Sequence, residues 1–388
     1  MTNISYQSVV SLSKIKLFLA FFFIIGWLFP KISVGGFNLG IQDVTAIFLI
    51  CFGYKINSRI YRFFIADLFF AIVLFIVGFF YLFNNDFEGF LIGSRTLLFV
   101  IAVVGFTGFE YNKLQYLMKV VTFVYFVFIF FAVLRIIINM IIKPFDIINF
   151  FYGSDSYRVR SPFEPEGAAS SQVPIGYMLA LLLCVPTIVH SKFKKIIFLI
   201  GAIGTTSRAS ILSVVLVYVK KVNFRKLSAL FAILILVLLG YIAFLKSFTL
   251  NEGELDGSAG KRLELYANSI KIMVDNPSSF LFGFGLSTKS LAAATGEGFY
   301  ESFIVNSFMQ GGLLLLLLSI WILLKSIYFD YKYKIHSISI VILLGNAIGG
   351  SNYFSMFAYP LMGLIVCLAF KNQNILLNEK NTPLNNIE

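Results

Sequence analysis

Long apolar runs separated by short basic connections constrain this chain more than any other feature. A helix needs about 20 consecutive apolar residues to cross a bilayer, within a range of about 17–25. Runs of this kind recur from one end of the sequence to the other. Only 13% of the 388 residues are charged and 59% are hydrophobic, whereas a soluble domain carries about 25% charged residues. The sequence therefore predicts an all-α polytopic membrane protein.

Twelve apolar segments are candidate spans, and several of them are short. They are residues 17–28, 41–52, 64–83, 91–109, 117–142, 173–190, 196–203, 211–219, 227–248, 303–327, 338–348 and 356–370. We expect a single membrane domain over residues 1–370, because no long polar segment could fold apart from it. The polar, Asn-rich residues 371–388 have a composition typical of a disordered tail.

The distribution of charge predicts the orientation of the spans. Lysines and arginines fill one set of connections, as at Lys14 and Lys16, and carboxylates such as Asp86 and Glu88 fill the alternate set. Short basic connections stay in the cytoplasm, so twelve spans with both ends inside account for the pattern. Lys325 is counted among these basic connections. The same rule explains the net charge of +12 without a nucleic-acid partner.

A polar turn over residues 204–210 contains Arg208 and divides the seventh segment from the eighth. One long helix with an arginine at its middle would also fit the hydropathy, but two helices keep the flanking lysines on one side. An arginine at a helix centre costs about 2.5–3.5 kcal/mol on insertion scales. Arg208 therefore needs a partner, water or a phosphate, unless it snorkels to the interface. We expect Arg95 to snorkel or to pair within the bundle.

Two connections on the predicted outer face are long, residues 143–172 and 249–301. Binding and catalytic residues are often carried by loops on a rigid scaffold, so these connections are where we expect the function. The first holds two guanidiniums beside two carboxylates: Arg158, Arg160, Glu164 and Glu166. They form either a polar binding site or a set of surface ion pairs, each worth about 0–1 kcal/mol.

The second long connection contains a predicted amphipathic helix over residues 258–274. Its apolar side chains recur at helical spacing: Leu263, Tyr266, Ile270 and Met273. Such a helix lies on a membrane surface, and Asn276-Pro277 ends it. Its Arg262 either anchors the helix to lipid phosphates or binds a substrate.

Glu301 opens the tenth segment, five residues before Asn306. A carboxylate at a helix N-terminus can simply complement the helix dipole, for about 0.3–1 kcal/mol. It can also act as a general base that accepts a proton from an incoming hydroxyl. The sequence has no Asp-x-Asp pair and no phosphate-binding lysine loop, and its three cysteines stand singly in apolar segments. We expect no metal and no cofactor.

Several short motifs, in this order, resemble the Wzy-type O-antigen polymerases, which share a superfamily with the O-antigen ligases. The motifs are Arg160-x-Pro-Phe-Glu-Pro-x-Gly, Thr206-Ser207-Arg208-Ala209, Arg262 with Asp275-Asn276-Pro277 and Gly283-x-Gly285, Glu301-Ser302-x-x-x-Asn306, and Gly311-Gly312. The likeness covers residues 158–314 together with the twelve-span layout. It implies a fold similar to type-C glycosyltransferases, which are metal-independent and use lipid-linked donors outside the cytoplasm.

The resemblance also implies a reaction. Oligosaccharide repeat units linked to undecaprenyl pyrophosphate, as donor and acceptor, would be joined with inversion at the periplasmic face of a bacterial inner membrane. Arg208 and Arg262 would bind the departing diphosphate, because guanidinium forks match phosphate oxygens, and Glu301 would activate the acceptor hydroxyl. The residues expected to line the glycan groove are Arg158, Arg160, Glu164, Glu166, Tyr300 and Asn306. Membrane lipid and a polysaccharide chain-length regulator would be the other partners.

Three alternatives stay open. The ligases carry a histidine near the start of a late span, where this chain has Glu301–Asn306, and this departure favours a polymerase. A flippase for lipid-linked oligosaccharides tends to have charged residues or broken helices near the bilayer midplane, whereas this sequence concentrates its charge in the outer connections. A scaffold for the export complex is the third alternative.

Overall fold

The computed structural model describes residues 2–34, 37–53, 56–83, 86–142, 172–184, 191–205, 211, 214, 258–296, 302–333, 354 and 358–381. Twelve α-helices lie within these residues: α1 Thr2–Ile25, α2 Ile41–Cys51, α3 Ser58–Leu82, α4 Phe87–Gly105, α5 Tyr111–Ile142, α6 Gln172–Cys184, α7 Lys192–Gly204, α8 Ser258–Asp275, α9 Pro277–Phe282, α10 Thr288–Thr295, α11 Phe303–Tyr333 and α12 Tyr359–Asn381. The predicted helical class is confirmed at this level.

One short hairpin departs from the helical pattern. Strand β1 (Ile32–Val34) pairs antiparallel with β2 (Phe37–Leu39), with Ser33 opposite Asn38. It joins the end of α1 to the start of α2, so it lies at a helix end where backbone groups need partners outside a helix.

Four stretches are long and apolar enough to cross a membrane: Ser58–Leu82, Phe87–Gly108, Tyr111–Asn139 and Phe303–Phe329. They coincide with the third, fourth, fifth and tenth predicted segments, so the chain is a membrane protein. Helix α2 and residues 359–372 of α12 are apolar but shorter. Segments 227–248 and 338–348, and nearly all of 211–219, lie outside the described residues. The total of twelve spans therefore stays a prediction.

Helices α3 and α4 form a close antiparallel pair. A Cβ on Gly93 would collide with the Leu74 carbonyl, and one on Gly78 would collide with the Gly89 carbonyl. Small residues let two helix backbones approach in this way inside a membrane. Asp86 caps the N-terminus of α4 by accepting a hydrogen bond from the Gly89 N–H at 2.9 Å. Other helices attach to this pair, α2 through Arg95 and α11 through Phe70 and Asp67.

An ion pair joins α2 to α4 inside the bundle. Arg95 donates from Nε to Asp43 Oδ1 at 2.6 Å and from Nη2 to Asp43 Oδ2 at 2.7 Å. The Gly40 N–H donates to the same carboxylate at 2.8 Å. A bidentate guanidinium–carboxylate pair is among the stronger polar contacts. Arg95 is therefore a partner within the bundle, which was one of the two predictions made for it.

Polar contacts lie at the end of the bundle where α3 begins, next to Thr107 after α4. Lys16 Nζ donates to the Gly53 carbonyl at 2.6 Å, and Tyr111 OH donates to Asn372 Oδ1 at 3.4 Å. We call this the Lys16 end. The connection between α3 and α4, residues 83–86, lies at the opposite end, which we call the Asp86 end. Lys16 therefore lies at the opposite end of the described bundle from Asp86 and Glu88, and the orientation of the chain in a membrane stays a prediction.

The C-terminal tail differs from the sequence expectation. Helix α12 continues to Asn381, so residues 371–381 are helical, whereas their composition was interpreted as disordered. Asparagine, which disfavours helix, recurs in this stretch, but glycine and proline are absent from it, and leucine, glutamate and lysine favour a helix. Residues 382–388 lie outside the described residues.

Candidate functional site

The polar stretch after residue 258 folds into three helices and a glycine loop, residues 258–296, which we call the platform. The predicted helix over 258–274 is confirmed as α8, Ser258–Asp275. It ends at Asn276, and Pro277 begins α9. Proline suits the first helical position because its missing N–H would have no helical partner there. The predicted helix stop at Asn276-Pro277 is therefore a short connection between α8 and α9.

A small core of its own ties the platform to α11. Met273, Leu291, Phe308 and Met309 are buried together, and Phe280 packs edge-on against Phe308 with 5.6 Å between ring centroids. Full burial of a side chain of this size contributes about 1.5–3 kcal/mol. Ile270, which the sequence placed in the same apolar stripe as Met273, is exposed. Within that stripe, Met273 faces the protein and Ile270 faces away from it.

The platform docks on the Asp86 end through hydroxyl–carboxylate hydrogen bonds. Ser290 Oγ donates to Asp86 Oδ2 at 2.8 Å, and Thr288 Oγ1 donates to Glu88 Oε1 at 3.0 Å. Both acceptors belong to the start of α4. The platform is therefore fixed at the end of the bundle opposite Lys16.

The glycine loop makes a backbone contact that other residues could not make. Gly283 and Gly285 have φ of +77° and +104°, a region that favours glycine. The Phe284 N–H donates to the Met309 carbonyl at 2.8 Å, and Tyr81 OH donates to the Gly283 carbonyl at 3.1 Å. A Cβ on Gly283 would collide with the carbonyl group of Gln310. The Gly283-x-Gly285 motif is thus required for the contact between the loop and α11.

Helix α11 breaks at the point where this loop meets it. Gly311 and Gly312 have non-helical φ/ψ of −137°/20° and 65°/−156°. A Cβ on Gly312 would collide with the Leu281 carbonyl of α9. The loop and the break therefore interlock through two glycine contacts, Gly283 against Gln310 and Gly312 against Leu281. We call this contact the glycine interlock.

The break reverses the direction of the chain. Phe303 packs against Phe70 with 5.5 Å between ring centroids, and Lys325 Nζ contacts Asp67 Oδ1 at 2.5 Å. In a straight helix the residues at positions 303 and 325 would be about 33 Å apart, yet both reach one turn of α3. Gln310, between them, contacts the loop near the end of α3. Residues 303–310 therefore rise toward the Asp86 end, and the residues after Gly312 descend.

The start of α11 consequently lies level with the middle of α3. We expected this start at the outer face of the membrane, because it follows a long polar connection. The buried Ser302 and Phe303 instead lie beside Phe70, deep in the apolar part of the bundle. Helix backbone that begins at this depth is tolerated where protein surrounds it.

The side chains of Asp67, Lys325 and Tyr359 meet at the same level of the bundle, and we call them the charge triad. Asp67 is fully buried, and it accepts from Lys325 Nζ at 2.5 Å and from Tyr359 OH at 3.3 Å. Lys325 also donates to the Phe63 carbonyl at 2.9 Å and lies 4.5 Å from the centroid of the Phe63 ring. Ionisable side chains inside membrane helices are costly and frequently functional. Lys325 is therefore not a loop residue, which corrects its assignment from sequence.

Most residues predicted to act lie outside the part of the chain that the structure describes. These are Arg158, Arg160, Glu164, Glu166, Arg208, Tyr300 and Glu301. The backbone of Arg262 lies in the first part of α8, but its side chain is outside the description. Asn306 is buried in the rising segment of α11, with 6% of its surface exposed. Their assembly into one site therefore stays a prediction.

Sequence reasoning missed the charge triad, although part of its signal was present. Asp67 is the single charged residue in the apolar segment 64–83, and Lys325 lies inside the segment 303–327. Each residue taken alone matches the rule that an ionisable group in a span has a partner. The pairing itself joins positions 258 residues apart, so no local spacing reveals it.

Comparison with known proteins assigns the chain to no family. No protein-family model matches the chain, and no curated protein matches it.

Proposed function

We propose that this protein is an O-antigen polymerase, a membrane glycosyltransferase that joins oligosaccharide repeat units carried on undecaprenyl pyrophosphate. The proposal includes a twelve-span fold similar to type-C glycosyltransferases and a site at the periplasmic face of a bacterial inner membrane. One observation carries it most: the platform is docked at the end of the bundle opposite Lys16. Helix α8 with Arg262 belongs to that platform, at the end where a lipid-linked diphosphate would reach the surface.

The chemistry follows from the charge of the leaving group. A polyprenyl diphosphate departs with several negative charges, and Arg208 and Arg262 would stabilise it through bidentate hydrogen bonds. Glu301 would accept the proton of the acceptor hydroxyl as that oxygen attacks the anomeric carbon and the bond to the diphosphate breaks. The groove for the glycan would be lined by Arg158, Arg160, Glu164, Glu166, Tyr300 and Asn306.

A flippase for lipid-linked oligosaccharides is the second candidate, and two observations favour it. The charge triad lies inside the membrane-spanning part, and α11 is broken. Both features are typical of transporters whose substrate site lies near the midplane.

Deletion and complementation in the host discriminate these candidates. Loss of a polymerase leaves a single repeat unit on the lipid A core, loss of a ligase leaves bare core with polymer stranded on the carrier, and loss of a flippase leaves bare core without outward-facing repeats. We expect the first result. Arg262→Ala should lower polymer formation by about 10²–10³-fold, the effect of removing one group that stabilises transition-state charge.

Lys271→Ala is the matched control, because Lys271 is an exposed cation on the same helix. It should leave chain length unchanged. Normal chain length in the Arg262 variant, at normal protein level, would contradict the assignment of that arginine.

A further inference from the structure

We propose that the charge triad is a positioning device: it sets the register of α11 against α3 and thereby holds residues 302–310, with Asn306, at their depth in the bundle. Asn306 belongs to the proposed glycan groove, so this role of the triad rests on the proposed function. Its test is geometric and needs no glycan, so it stands or fails separately from the proposed function.

The triad joins three helices at one level. Asp67 belongs to α3, Lys325 to the descending part of α11 and Tyr359 to the start of α12. The Lys325 bond to the Phe63 carbonyl adds a second attachment to α3, one turn nearer the Lys16 end. The descending part of α11 is thus held by hydrogen bonds of defined direction.

Aromatic contacts between α3 and α11 specify register weakly. Phe329 packs on Phe63 and Trp321 on Phe69, with ring centroids 4.4 Å and 6.3 Å apart. Rings of this kind pack in more than one arrangement at similar energy. A slip of one helical turn, about 5.4 Å, would keep apolar contact but would separate Lys325 from Asp67 inside an apolar environment. The charge pair therefore penalises the wrong register far more than the rings do.

The buried pair acts on helix register rather than on net stability. Desolvation cancels much of the attraction between two buried charges, so such a pair adds little net stability compared with apolar residues of similar size. Removing one partner, by contrast, leaves an uncompensated charge. A neutral double substitution separates the two effects, because it removes the register signal without leaving a charge behind.

The register of the descending part of α11 (residues 313–333) against α3 decides where the rising part (residues 303–310) lies. The two parts are joined at Gly311–Gly312, and Phe303 packs on Phe70, one turn from Asp67. If the descending part slips, the rising part loses this contact. Proximity of Phe70 and Phe303 therefore reports the position of residues 302–310.

The experiment is thiol cross-linking in native membranes, with Cys51, Cys184 and Cys367 replaced by alanine. Phe70→Cys and Phe303→Cys are introduced together, and a short bifunctional thiol reagent joins them. The reference pair is Phe75→Cys with Phe90→Cys, which lies between α3 and α4 with ring centroids 5.8 Å apart and does not involve α11.

Three triad variants are compared in this background. Lys325→Met alone should accumulate several-fold less than the parent. Asp67→Asn with Lys325→Met should regain normal accumulation, while its Phe70–Phe303 cross-linking falls at least threefold. The exchanged variant, Asp67→Lys with Lys325→Asp, should regain cross-linking relative to the neutral pair. Cross-linking of the reference pair should stay constant throughout.

Two results would overturn the proposal. If the neutral double variant cross-links Phe70→Cys to Phe303→Cys as fully as the parent, the charges do not set the register. If it fails to accumulate while the reference pair still cross-links, the charges serve stability rather than position.

Discussion

The glycine interlock and the charge triad both hold α11, but they do so by opposite means. The interlock joins backbone to backbone at the Asp86 end, where Gly283 and Gly312 leave no room for a side chain. The triad joins long polar side chains in the middle of the bundle, where Asp67 is fully buried. Close approach demands one residue type, glycine, whereas a buried pair demands only that each charge has a partner. The glycine interlock can therefore be recognised in the sequence, whereas the charge triad can be recognised only in the fold.

The largest effect, up to about 6 kcal/mol, is expected at the interlock. Gly312→Ala should cost about 1–3 kcal/mol for its positive φ and about 1–3 kcal/mol more for the collision with Leu281. Thermal unfolding of the purified protein in detergent measures the loss. Gly296→Ala is the matched control, because Gly296 also has a positive φ but nothing lies within 4 Å of its Cβ position. Equal losses in both variants would mean that the interlock is not sterically tight.

The triad should come next. Lys325→Met should destabilise the protein by about 3–5 kcal/mol, because Asp67 would be left as an uncompensated buried charge. Asp67→Asn with Lys325→Met should recover most of this loss. The same unfolding assay checks both variants, and a single substitution with no effect would show that Asp67 has another compensating partner.

A smaller effect is expected at Arg95. Arg95→Met removes a charge-assisted hydrogen-bonding partner of Asp43, and such bonds contribute about 1.5–3 kcal/mol. The Gly40 N–H would still bind the carboxylate, so the loss should be less than for Lys325. Arg95→Lys keeps the charge but loses the bidentate geometry. Its stability should lie between that of the parent protein and that of Arg95→Met. A lysine variant no better than methionine would contradict the importance of the charge.

The smallest effect is expected where the platform meets α4. Ser290→Ala removes one hydrogen bond to Asp86, which is worth about 0.5–1.5 kcal/mol. Limited proteolysis within residues 288–296 should become faster without a change in the unfolding of the bundle. Lys289→Ala, at an exposed neighbouring position, is the control. Identical cleavage rates in the two variants would show that this hydrogen bond does not hold the platform.

Local signals in the sequence predicted the parts of the fold that depend on local rules. The apolar lengths predicted the four long spans, and Asn276-Pro277 predicted the corner between α8 and α9. The depth of Ser302 could not be predicted, because it follows from the chain reversal at Gly311–Gly312. Hydropathy treats residues 303–327 as one run whether the run is straight or folded back. The partner of Lys325 was hidden for a related reason, since it depends on which helices are neighbours.

We propose that arginines, rather than a bound cation, stabilise the departing diphosphate. The most direct measurement is extension of a lipid-linked repeat unit by the purified protein with EDTA present. We predict that polymer forms at the same rate with and without the chelator and that Arg262→Ala lowers this rate by about 10²–10³-fold. Extension that stops when EDTA is added and returns with a divalent cation would contradict the claim.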